Sequence, residues 1–346
     1  MARRGLLALA GTAVGVGAGL VAQRSVVNRR RRNDPEVGER FGERRGDRSR
    51  YLDLPDGARL FVEESGPADA TKGAVFLHGS ALRTDLWYYQ LPGIGGHRCV
   101  FYDLRGHGLS EPKGDKEFSM EVLAEDLAAV IADSGLDEVV LVGHSIGGMV
   151  ALELCAADPG LVGSVVKGLV LANTTPSPAT ETTIGGAALA RAERFLRNPL
   201  DVLSSHHERV DRLRKIIRPT DQIFLAVSFA AFGPDGSARQ IDFASDMLAE
   251  TPGHVLFDLV RSYGAYDVRS HLGDIAIPAL VIAGSHDRIT VPTASEELAE
   301  LLPKAELTVL QRCGHMSMLE RHQDFNTMLE RFLDDSLGRS VMEERG

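Results

Sequence analysis

Short, continuously apolar runs separated by helix-period segments recur along this chain from about residue 50 onward. Ala74-Val75-Phe76-Leu77, Val139-Val140-Leu141-Val142 and Ala279-Leu280-Val281-Ile282-Ala283 have the unbroken apolar character of strands covered on both faces. Val100-Phe101-Tyr102, Lys167 to Ala172 and Leu307-Thr308-Val309-Leu310 read as further strands. Tyr51-Leu52-Asp53-Leu54 and Arg59-Leu60-Phe61-Val62 flank Asp56-Gly57, a hairpin signal. Between Ser119 and Ser134, Leu123, Leu127, Val130 and Ile131 fall on one helical face, with Ser119 as N-cap. Met149 to Cys155 reads as a helix entered directly from Val139–Val142. From Asn173 to Pro278 about a hundred residues lack strand-like alternation. Within them Ile223 to Phe232 is too apolar for a solvent-exposed helix.

Candidate chemistry sits where strands end. Gly143-His144-Ser145-Ile146-Gly147-Gly148 places a serine between small residues at a strand-to-helix turn. So tight a turn needs glycines two residues before and after, and it lifts the serine Oγ clear of the backbone. Asp287 follows the strand Ala279–Ala283, and His315 lies on a turn after Leu307–Leu310. Open parallel sheets place their active sites at such carboxyl ends. The chain order Ser145, Asp287, His315 is the nucleophile–acid–base order of one triad architecture. The backbone N–H groups of Ile146 and of Ser80, in the tight loop His78-Gly79-Ser80-Ala81, are placed to receive an oxyanion, with Ala81 as an alternative to Ser80.

With His78-Gly79, Asp103-Leu104-Arg105-Gly106-His107-Gly108-Leu109-Ser110, the elbow, Asp287 and Gly314-His315 in order, the chain resembles the α/β-hydrolase superfamily from about residue 50 to 336. The resemblance implies an α/β fold with a mostly parallel central sheet, helices on both faces and a helical cap at about 173–270. It implies catalytic roles for Ser145, Asp287 and His315, and oxyanion roles for the Ser80 and Ile146 backbones. It makes His107 structural. Residues 1–50 are then a hydrophobic leader and basic linker, 51–336 the hydrolase domain, and 337–346 a tail.

A chain of 346 residues with 44% hydrophobic residues can bury a single large core. Three cysteines, Cys99, Cys155 and Cys313, are too few for a disulfide framework. No metal-ligand spacing and no phosphate-cradling loop is present, so neither metal nor cofactor is expected. Serine as nucleophile argues against the epoxide-hydrolase and haloalkane-dehalogenase relatives, which need a carboxylate there. The expected activity is cleavage of carboxylic esters through an acyl-enzyme, with an apolar or lipid acyl group, as in monoacylglycerol lipases or carboxylesterases. Thioesterase, C–C hydrolase, lactonase and perhydrolase chemistry use the same triad, and a ligand receptor with little turnover is the alternative from another class. The apolar run around Phe224, Phe229 and Phe232 reads either as cap-to-core packing or as an apolar wall for an acyl chain, and the two are compatible.

The N-terminus stands apart. Gly5 to Ala22 is 18 uncharged residues, about 27 Å as a helix, with Gly11, Gly15 and Gly19 at small-xxx-small spacing. Twelve basic and five acidic residues lie in the first 50, against 26 and 43 in the remainder. The basic charge is therefore read as belonging to the leader, not to the domain, and as a topology or anionic-lipid determinant; no nucleic acid is expected. The heavier arginine flank, Arg24 and Arg29 to Arg32, predicts a single membrane anchor with a cytoplasmic catalytic domain. Export after signal-peptide cleavage is the alternative. Because every motif begins at His78 or later, removal of residues 1–32 is expected to leave an active domain.

Overall fold

The computed structural model describes residues 23–111, 118–183, 221–253, 255, 262 and 266–338. The segment 5–22 and most of the tail lie outside them, as does the part of the cap between 184 and 220. Among the described residues no helix is long and apolar enough to cross a membrane.

Residues 23–32 form helix α1. There follow β1 (Arg48–Asp53), β2 (Arg59–Ser65), β3 (Lys72–Leu77), β4 (Arg98–Tyr102), α2 (Met120–Ser134), β5 (Glu138–His144), α3 (Ile146–Ala157) and β6 (Val166–Ala172). The cap supplies α4 (Asp221–Ala231) and α5 (Ala238–Glu250), and the chain returns through β7 (Ala279–Gly284), α6 (Pro292–Leu301), β8 (Ala305–Leu310) and α7 (His322–Leu337). The eight strands form one sheet in the order β1-β2-β4-β3-β5-β6-β7-β8. β1 and β2 are antiparallel and β4 onward parallel.

The apolar runs are continuous because alternate residues face opposite layers. Val75, Leu77 and Leu141 pack with α2, α3 and α6. Ala74, Phe76, Val140 and Val142 pack with α7 and the cap. On α2 the buried face includes Leu123, Leu127, Val130 and Ile131, and Ser119 Oγ accepts the Val122 N–H at 3.3 Å, as expected. The hairpin turns at Asp56-Gly57, where Asp56 Oδ1 accepts the Ala58 N–H at 3.1 Å and Gly57 has φ +88°.

Residues 23–50, within the stretch read as leader and basic linker, pack against the domain. β1 pairs with β2 from Arg48 onward, and Arg48 and Arg50 both reach the buried Glu64 of β2. Upstream, Val27 of α1 is fully buried, and Phe41 stacks on Phe243 of α5 at 5.1 Å. The Asp34 carboxylate accepts the Ser237 hydroxyl at 2.9 Å and the Ala238 N–H, so it caps α5. Net charge along the sequence assigned these arginines to the leader; the folded chain pairs several of them with acids of the domain.

Candidate active site

β5 delivers Ser145 into the turn before α3 with φ 54° and ψ −121°, a sparsely populated conformation for a residue with a side chain. The turn closes through Ser145 N donating to Ala172 O at 3.0 Å and Thr174 Oγ1 donating to Ser145 O at 2.7 Å. A Cβ on Gly143 would lie 2.5 Å from the Gly148 backbone, and one on Gly147 would overlap the Leu77 carbonyl. The glycines are required by this close approach of strand and helix.

Asp287 and His315 are brought together across β7 and β8. His315 Nδ1 lies 2.8 Å from Asp287 Oδ2, and both residues are buried. Oδ2 also accepts Thr290 Oγ1 at 2.8 Å and Asn173 Nδ2 at 2.9 Å. Oδ1 accepts the backbone N–H groups of Ile289 at 2.9 Å and Thr290 at 3.0 Å. Burial alone would raise the Asp287 carboxyl, but the His315 imidazole and these donors outweigh it and hold the group below the usual carboxylate range. Asp287 is thus an ionised acceptor for Nδ1–H, which leaves Nε2 of His315 free to take a proton.

Two neighbours brace this pair. Asn173, at φ +49°, also donates to Gly314 O at 3.2 Å, so it ties the carboxylate to the histidine loop. From the sequence Asn173 has no role in the site; its donor role emerges with the positive φ that turns the chain after β6. Glu320 accepts the N–H of Gly314 at 2.8 Å and of Gly233 at 2.7 Å, linking that loop to the cap. Burial raises Glu320 to about 7. His144 Nε2 meets the His315 carbonyl at 3.0 Å, and burial holds its imidazole well below the usual value, so it is neutral. His78 is neutral for the same reason, with Nδ1 donating to Gly79 O at 2.7 Å and Nε2 accepting the Leu104 N–H at 2.9 Å. Burial pushes the Cys313 thiol upward, away from any nucleophilic role.

Ser145 and His315 share the wall of a cavity of about 440 Å³, together with Ser80 and Ala81 on one side and Met149, Leu248, Ile289 and Met316 around it. Ser80 therefore reaches the site. Ile146 is the first residue of α3, where a backbone N–H has no partner in the preceding turn. The phenylalanines do not form the wall. Phe224 and Phe232 are each 1% exposed and pack away from the cavity, and Phe229 is 66% exposed, under the Arg288 guanidinium. The cap instead presents Ala226, Val227, Ala230 and Ala231 from α4 and Ala244 and Leu248 from α5. Among the described residues no group of three or more His, Cys, Asp or Glu side chains is placed to hold a metal ion.

A mostly parallel sheet with an elbow serine at the end of its central strand defines an α/β hydrolase. The chain matches the alpha/beta hydrolase fold family over residues 75–322 and belongs to it. It is 28% identical over 277 residues to a Variovorax paradoxus protein named for carbamate hydrolysis, spanning 79% of this chain and 96% of that one. It is 26% identical over 301 residues to the 2-hydroxy-6-oxononadienedioate/2-hydroxy-6-oxononatrienedioate hydrolase 1 of Dechloromonas aromatica, 82% of this chain and 95% of its relative. Among solved structures, a membrane phospholipase A described as a bacterial virulence factor superposes with a TM-score of 0.64 at 20% identity, covering 97% of this chain and 99% of its own. The protein is a hydrolase of this family.

Proposed function

We propose that the chain is a membrane-associated serine hydrolase that cleaves carboxylic esters with an apolar acyl group, a monoacylglycerol or similar lipid being the preferred class. The observation that carries the reading is the predominantly apolar cavity that has Ser145 and His315 in its wall. Ser145 Oγ attacks the ester carbonyl carbon while His315 Nε2 takes its proton, and Asp287 holds the imidazole by Nδ1. The Ser80 and Ile146 N–H groups receive the oxyanion, favoured by the N-terminal end of α3. The C–O bond breaks as His315 returns the proton to the leaving alcohol; water, deprotonated by His315, then clears the acyl-enzyme. The fold is shared with a membrane phospholipase A and with esterases, so ester cleavage is chemistry that this fold can carry. The apolar segment 5–22 is the anchor, and the arginines after it keep the domain cytoplasmic.

Turnover of an ester series from acetyl to dodecanoyl, run beside thioester, lactone, carbamate and vinylogous diketone substrates, tests the activity. Esters are expected to lead, and Ser145→Ala is expected to abolish both turnover and fluorophosphonate labelling with the fold retained. Faster carbamate or C–C cleavage would overturn the ester reading, and labelling without turnover of any substrate would favour a receptor. A C-terminal reporter active only in the cytoplasm tests the topology; an intact mass showing a new N-terminus near residues 19–23 would establish export instead.

A further inference from the structure

We propose that Arg31 is a positioning residue that sets how well the cavity accepts long acyl chains, by latching from behind the two cap helices that wall it; the acyl part rests on the ester reading above. The Arg31 guanidinium makes a two-pronged contact with Asp242 of α5, at 2.9 Å from Nε and 2.7 Å from Nη2. Its Nη1 reaches Asp221 of α4 at 3.3 Å. One side chain thus spans both helices. Arg30 adds Ser228 Oγ of α4 at 2.8 Å and the Gly236 carbonyl just before α5 at 3.0 Å. Both guanidinium groups lie over the Phe224 ring, at 5.5 and 5.1 Å from its centroid.

The geometry makes this contact relevant to the cavity. At 100° per residue Asp221, Phe224 and Ser228 form one stripe of α4; the cavity-lining Ala226 and Ala230 lie on the opposite side, and Val227 and Ala231 line the cavity from the flank between the two. On α5 Asp242 is likewise turned away from Ala244 and Leu248. Four of the six side chains that α4 and α5 turn to the cavity are alanine, so helix position, more than side-chain bulk, defines much of the wall there. The ion pairs are only partly exposed, at 33% for Arg31, 27% for Asp242 and 24% for Asp221, and charge-assisted forked contacts of this kind are the stronger ones.

The test uses the full chain in detergent micelles: wild type, Arg31→Ala, Arg31→Lys and, as a control, the exposed neighbour Arg32→Ala. Steady-state kinetics on 4-nitrophenyl acetate and octanoate are combined with amide hydrogen exchange. In Arg31→Ala the octanoate/acetate ratio of kcat/KM is expected to fall about tenfold through KM, with kcat on acetate within about twofold of wild type. Amides of 224–231 and 241–248 are expected to exchange faster, while those of β5 do not change. Arg31→Lys should recover part of the effect and Arg32→Ala should match wild type. An unchanged ratio with unchanged exchange, or equal losses on both esters that track a lowered Tm, overturns the latch. Should wild type cleave neither ester, the ester reading fails, and exchange in α4 and α5 alone decides the latch.

Discussion

Replacing Asp287 by Asn tests the site most sharply, because the surroundings dictate how the amide must sit. Oδ1 faces two backbone N–H groups, from Ile289 and Thr290, that cannot turn away. The amide oxygen must occupy that position, since an NH2 there would oppose two fixed donors with no acceptor. The NH2 then replaces Oδ2, 2.8 Å from His315 Nδ1. Thr290 Oγ1 can rotate, and the Asn173 amide can flip its oxygen round, to accept from it, but Nδ1 can do so only by giving up its proton. The neutral imidazole is thereby locked with its hydrogen on Nε2, facing the serine, and cannot act as base. In serine triads the corresponding change lowers kcat on the order of 10⁴-fold, equivalent to about 5 kcal/mol of barrier. Asp287→Asn is therefore expected to lose between about 10³ and 10⁴ in kcat with KM near wild type, measured on a short chromogenic ester. Fluorophosphonate labelling should slow in parallel, and circular dichroism should show an intact fold. A variant within tenfold of wild type would refute the assignment of Asp287, and with it the tautomer argument.

Other outcomes follow from the same geometry. Ala230→Phe, which places a ring in the cavity from α4, should depress octanoyl turnover at least about tenfold more than acetyl turnover; equal losses would mean that α4 does not bound the acyl site. Glu320 is raised to about 7 by burial, whereas an unfolded glutamate titrates near 4.3, so between these values the folded chain holds the extra proton and stability falls as pH rises. Glu320→Gln removes that component: urea unfolding from pH 5 to 8 should show the wild type losing stability relative to the variant, and the opposite slope would refute it. Deleting residues 1–22 should leave the ester profile intact, whereas deleting 1–33 removes α1 and should alter chain-length preference and lower Tm by a few degrees; identical behaviour of the two truncations would show that α1 is dispensable.

The sheet and its carboxyl-end residues were legible because each depends on a local pattern. The run Val139–Val142, the glycines around Ser145 and the order Ser145, Asp287, His315 carry their reasons within a few residues. The partners of the N-terminal arginines were not legible. Asp221 and Asp242 stand 190 and 211 residues from Arg31, and net charge by segment contains no pairing. Which of the two roles the phenylalanines take, packing or acyl wall, was not legible for a different reason. The segment Ile223–Phe232 is apolar around much of its circumference, and periodicity does not say which stripe faces the site. Phe224 turns toward Arg30 and Arg31, and Ala226 and Ala230 take the cavity side.

The alanines of the cap wall have a consequence for heredity. Ser145, Asp287 and His315 are each held by backbone hydrogen bonds or glycine contacts that tolerate almost no change in sequence. Ala226 and Ala230 on α4 and Ala244 on α5 line the same cavity from the cap, and each is one nucleotide change from valine or threonine. A lineage carrying this fold can therefore trade one substrate for another by mutations that leave the reactive serine untouched. A library randomised at these three positions should retain fluorophosphonate reactivity in most members while its members diverge in the esters they prefer.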